Sequence, residues 1–107
     1  MSKSLKLQIV EQARTLIEDE RHWCRGVLAR DQNGLSVCPT DDRVERRCAL
    51  GALIAAAYQI TSDHDQARDL ALRAVRPHYG TATLVNINDF RGHAAVLALF
   101  DEVIAAP

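Results

Sequence analysis

Residues 46–58 read RRCALGALIAAAY, and this run decides the fold. From Cys48 onward it is apolar on nearly every side of a 3.6-residue repeat, so as a helix it must be enclosed by other elements. The helix is expected from about Asp42 to Gln59. Pro39-Thr40-Asp41-Asp42 would start it, with carboxylates beside the positive end of the helix dipole. Gly51 and Ala55, one turn apart, carry almost no side chain and leave room for a close neighbour. The uncharged stretch from Cys48 to Ser62 is 15 residues long and includes Gln59 and Thr61. A membrane span needs about 20 strongly apolar residues, so this stretch reads as a core helix.

Amphipathic segments flank the central run. Upstream, Leu5, Ile9, Ala13, Leu16 and Ile17 form one stripe of a helix over 4–19, with Ser2 or Ser4 as its cap. Downstream, Ala67, Leu70, Ala71, Ala74 and Val75 mark a helix over 62–76, ended by Pro77 and Gly80. The segment TATLVNINDF reads as irregular or a short helical turn. Asn88 or Asp89 is then expected to cap a last helix over 92–105, with Val96, Leu97, Phe100, Val103 and Ile104 inward. Between the first two helices lies VLARDQNGLSVCP. Both residues of Asn33-Gly34 tolerate the positive φ of a type I′ turn, which predicts a β-hairpin at about 26–38. The fold class is therefore mainly α: a bundle of about four helices with a small β-hairpin insert. A chain of 107 residues suits one helical domain over 1–107.

Thirteen Lys plus Arg against fourteen Asp plus Glu give a net charge of -1, too small a field to draw the molecule onto DNA or an acidic membrane. Arg43, Arg46 and Arg47, and Arg68, Arg73 and Arg76, form local basic faces, each mixed with acidic residues. With only five aromatic residues for base stacking, a nucleic-acid partner is disfavoured. A helix-turn-helix made from the second and third helices would lack a polar recognition face. The odd set Cys24, Cys38 and Cys48 points to a reducing, cytoplasmic setting. The opening MSKSLKLQIVEQ gains charge too soon for a signal-peptide core.

No phosphate-binding Gly-rich loop, CxxC pair, HExxH or GxSxG is present. What stands out is the set Trp23-Cys24, Arg47-Cys48, Asn88-Asp89 and His93. Trp-Cys followed by GVLARDQNG, then RRCALGAL, then NDFRGHAAVLALFDEVI resembles a bacterial and phage domain family whose function is unassigned. Trp-Cys, Arg-Trp-Cys-Ala-Leu-Gly-Ala-Leu, Leu-Asn-Asp and a His-containing helix ending in Leu-Phe-Asp mark that family. The resemblance runs from about Leu16 to Ala105. Arg47 stands where the family often has Trp, and Ile87 where it often has Leu. The resemblance implies one compact domain and supplies no activity.

The residues themselves allow three readings. In a thiol-dependent enzyme, Cys24 or Cys48 would be the nucleophile, His93 the base, and Asp89 or Asn88 the group orienting the imidazole. In a zinc-binding domain, Cys24, Cys48, His93 and Asp89 would supply ligands, though all but His93 and Asp89 come from different elements where zinc usually takes paired knuckles. In the third, the chain is a non-catalytic partner-binding or accessory factor, acting on an unknown protein or on itself, with no cofactor and no bound metal. Trp23 and Asn88 are then its candidate binding residues or, more plainly, a core anchor and a helix cap. The third reading is preferred because it accounts for the unusual residues without chemistry. In it Cys48 packs as a small hydrophobe and His93 is a half-buried structural residue sharing the stripe of Leu97, Phe100 and Ile104.

Overall fold

The computed structural model describes residues 4–76 and 78–106; the expectations placed on Ser2 and Pro77 lie outside these. Helix α1 (Leu5–Ile17) starts at Ser4, whose hydroxyl accepts from the Leu7 N–H at 3.1 Å. It buries Ile9, Val10, Ala13 and Ile17. A short helical turn, Glu20–His22, leads to Trp23. Strand β1 (Ala29–Asp31) pairs antiparallel with β2 (Val44–Arg47). Helix α2 (Ala49–Thr61) follows, buried on all sides from Ala49 to Ala57. Helix α3 (His64–Ala74) packs along α2 through Ala67, Ala71 and Ala74, and α1 lies against both. Helix α4 (Thr81–Asn86) continues into a wide π-type turn, Ile87–Arg91, and α5 (His93–Ala105) closes against α1.

Small side chains make this arrangement possible. Six of the thirteen residues in ALGALIAAAYQIT are Ala or Gly, so α2 can be approached from several directions at once. Gly51 marks the tightest contact: a Cβ there would lie 2.0 Å from the Leu28 carbonyl oxygen. That same carbonyl accepts from the Cys48 N–H at 3.0 Å, which locks the loop against the first turn of α2. On the outer face, Arg14 Nε meets Asp101 Oδ1 at 2.6 Å and ties α1 to α5.

The structure departs from expectation in four places. Residues 44–47 are strand and not helix, and α2 begins at Ala49 instead of Asp42. The extended form is held from two sides, by β1 and by a bridge between Trp23 and Arg47. Arg47 adds a bond from its guanidinium to the Pro39 carbonyl at 2.9 Å. Long-range pairing thus outweighs local preference. The second departure is the hairpin. The chain does turn at Asn33-Gly34, but only Gly34 has positive φ (83°), so the turn is not type I′. The Asp31 side chain organises it by accepting from the Asn33 and Leu35 N–H groups. The returning arm gives a single bridge, Arg30 to Ser36, and the partner of β1 is β2. Third, residues 81–91 form a helix and a wide turn, giving five helices among the described residues in place of about four. Fourth, neither Asn88 nor Asp89 caps α5; Gly92, at φ 94°, occupies that position.

Because the obstacle at Gly51 is backbone, it cannot move aside as a flexible side chain would. Gly51→Ala is expected to destabilise the protein by at least about 3 kcal/mol, the upper end of ordinary overpacking. Denaturant-midpoint measurements on the variant and the parent check this.

Candidate functional site

The fold gathers Trp23, Cys24, Cys48, Asn88, Asp89 and His93 at one end of α2. The centre of the site is Asn88, only 2% exposed. Its Oδ1 accepts from Trp23 Nε1 at 2.7 Å and from the Ala49 N–H at 2.9 Å. Its Nδ2 donates to the Cys24 carbonyl at 3.1 Å and to Asp89 Oδ1 at 3.0 Å. The amide therefore uses two lone pairs and two protons, which is its full capacity. Asp89 Oδ1 also accepts from the Gly26 N–H at 3.0 Å, fixing the 25–28 loop. The wide turn and the left-handed Gly92 let the chain present Asn88 inward and then start α5 at once.

Trp23 is 8% exposed and lies between two cationic or polar neighbours. The Arg25 guanidinium carbon sits 5.0 Å from the centre of the indole, in the range of a cation–π contact. The His93 ring packs at 5.6 Å, tilted by 52°. His93 Nε2 lies 2.6 Å from the Ile17 carbonyl, which can only accept, so Nε2 carries the proton. The histidine thus ties α5 to the end of α1, and its partner is not the Asn88–Asp89 segment.

Both buried thiols are held in the protonated form. Burial pushes Cys24 up to about 11, and the nearby Cys48 adds to this, while Arg30 and Arg46 act weakly against it. Burial also raises Cys48, against backbone hydrogen bonding at the start of α2. Cys48 serves as the N-cap of that helix: its Sγ accepts from the Gly51 N–H at 3.3 Å. Cys24 Sγ faces the Val27 carbonyl at 3.7 Å. The third thiol, Cys38, is exposed beside Thr40, and all three are free. Among the described residues no group of three or more His, Cys, Asp or Glu side chains is placed to hold a metal ion.

Two clefts border this cluster. One, of about 180 Å³, is formed by the Gly26–Leu28 loop with Cys48, Leu50, Val85, Asn88 and Asp89. The other, open and about 560 Å³, exposes the edge of Trp23 and Cys24 among Arg21, Arg25, Arg30 and Arg46, with Glu20 as its one carboxylate. Arg25 and Arg30 went unnoticed in the sequence because their convergence with Arg46 depends on strand register. The visible signal was Arg25 directly after Trp-Cys. Of the basic faces read from the sequence, Arg43 pairs with Asp41, Arg73 with Asp69, and Arg47 turns inward.

Fold and site together define a mainly helical domain with a small antiparallel ribbon, organised around a buried Asn–Trp contact. The chain belongs to the family described as Family of unknown function (DUF6197), whose model matches residues 1–106. No curated protein and no solved structure matches it. No helix among the described residues is long and apolar enough to cross a membrane.

Removing the Asn88 amide would strand the Trp23 indole N–H, the Ala49 N–H and the Cys24 carbonyl together. Each buried polar group left without a partner costs about 1–3 kcal/mol. Asn88→Ala is therefore expected to lose at least about 3 kcal/mol of stability. Thermal or denaturant unfolding of the variant, with Trp23 fluorescence as the signal, gives the measurement.

Proposed function

We propose that this chain is a partner-binding or accessory module with no catalytic activity of its own. One observation carries the reading: the residues with reactive chemistry spend it on each other and on the backbone. Asn88 is saturated, Cys48 caps a helix, and His93 donates to Ile17. A nucleophilic thiol needs a base within hydrogen-bond reach and a depressed pKa. Cys24 instead faces a carbonyl and is shifted in the opposite direction. The same cluster makes a rigid frame on which surface groups can be presented. Phe90, on the wide turn beside Asn88 and Asp89, is 82% exposed and offers an apolar contact for a protein partner.

The competing reading is a thiol-dependent enzyme using Cys24 or Cys48 with His93 and Asp89. Alkylation by iodoacetamide near neutral pH separates the two. In a binding module Cys24 and Cys48 react at least about tenfold more slowly than exposed Cys38, because so little thiolate is present. His93→Ala then lowers the melting temperature without slowing either buried thiol relative to Cys38. A buried thiol that outpaces Cys38, and is slowed by His93→Ala at unchanged stability, establishes the enzyme.

The raised thiol also sets a pH dependence. An unfolded thiol titrates near its ordinary value of 9.0, whereas folded Cys24 holds its proton to about 11. Between these values the unfolded chain releases the proton first, so deprotonation favours unfolding. The stabilising contribution is complete below the ordinary thiol range and is lost as pH rises through about 11. Stability should therefore fall across that alkaline window, and the fall should be shallower in Cys24→Ala. Urea titrations at a series of pH values provide the comparison.

A further inference from the structure

The register of the two strands sets Arg30 directly opposite Arg46. Directly opposed residues of an antiparallel pair project to the same face, and like charges there destabilise the sheet. Neither arginine relieves this with a carboxylate. Arg30 donates to the carbonyls of Gly34 and Arg25, and the Arg46 guanidinium has no hydrogen bond or ion pair among the described residues. Arg25, the third member, spends its guanidinium on the Asp89 carbonyl and the face of Trp23. By contrast Arg21, on the same cleft, is neutralised by Asp19 at 2.7 Å. Three uncompensated cations thus line one concavity of about 560 Å³, a size within the range of small-molecule sites.

We propose that this cleft binds the dianionic phosphate group of a small organic phosphate, with Arg25, Arg30 and Arg46 as its ligands. Guanidinium forks match phosphate oxygens in pairs, and arginine keeps its charge at any physiological pH. A bound dianion removes the repulsion that the strand register creates. Arg25 and Arg30 are already oriented by carbonyl acceptors, so less side-chain entropy is lost on binding. The ligand is small because the positive surface ends abruptly. Glu20 lines the cleft and Asp19 pairs with Arg21 at its edge, so a long nucleic-acid strand would meet carboxylates on that side beyond the first phosphates. Arg25 and His93 already pack against the Trp23 ring, which leaves it unavailable for base stacking.

This inference names the ligand class of the binding module proposed above, yet its test reads anion affinity and is independent of thiol reactivity. Isothermal titration calorimetry at constant ionic strength uses inorganic pyrophosphate and glycerol 3-phosphate as probes, with acetate as control. At least one phosphate probe is expected to saturate a single site in the millimolar range or tighter, with acetate showing none. Arg46→Gln is expected to weaken that binding about tenfold or more. Its melting temperature should equal or exceed that of the parent, since a cross-strand repulsion is removed. Arg73→Gln, outside the cleft and paired with Asp69, should bind as the parent does. Failure of both phosphate probes to saturate, or unchanged affinity in Arg46→Gln, overturns the proposal. Tighter binding, per phosphate, of a single-stranded oligonucleotide overturns it in favour of a nucleic-acid surface.

Discussion

The buried amide of Asn88 is the contact on which the rest depends. It joins three pieces of chain distant in sequence: the Trp23–Cys24 segment, the first turn of α2, and the wide turn after α4. A primary amide removed from water is costly unless both its oxygen and its nitrogen are engaged. Here all four positions are filled, so the geometry admits little variation. An apolar residue could fill the space, but it could not specify which backbone groups meet there.

The consequences spread outward from that point. Fixing Trp23 brings its ring between Arg25 and His93, and His93 then reaches the end of α1. Fixing Ala49 places Cys48 as a sulfur N-cap and presses Gly51 onto the Leu28 carbonyl. With the 25–28 loop held by both Leu28 and Asp89, β1 can form only where it does, and β2 must meet it in the observed register. That register is the origin of the opposed arginines. The chemically versatile residues therefore hold one another and the backbone, and the arginines without an ion pair lie one layer further out.

This division explains which features were legible in the sequence. The apolar stripes of α1 and α3 repeat at helical spacing, so Ile9, Ala13, Ala67 and Ala71 announce their burial without tertiary information. The all-round apolar character of residues 49–57 similarly places α2 at the centre. The set Trp23, Cys24, Cys48, Asn88, Asp89 and His93 stood out by residue type, but residue type does not distinguish a catalytic group from a saturated one. Asn88 looks like a helix cap because asparagine is a common one; a wide turn and a left-handed Gly92 direct it inward instead.

Local chemistry along the chain thus determined the helices, their buried faces and the central place of residues 49–57, because periodicity and side-chain size act over a few residues. Tertiary structure alone decided that residues 44–47 are strand and that Arg30 faces Arg46. The strand and the opposed arginines each depend on a partner far away in sequence, and hydrogen bonds to a distant backbone can outweigh preferences of well under 1 kcal/mol per residue, whereas the turn is set by Asp31 only two residues before Asn33. The pairing of strands, the saturation of a buried amide and the convergence of like charges are properties of the packed chain, and no window of sequence contains both partners.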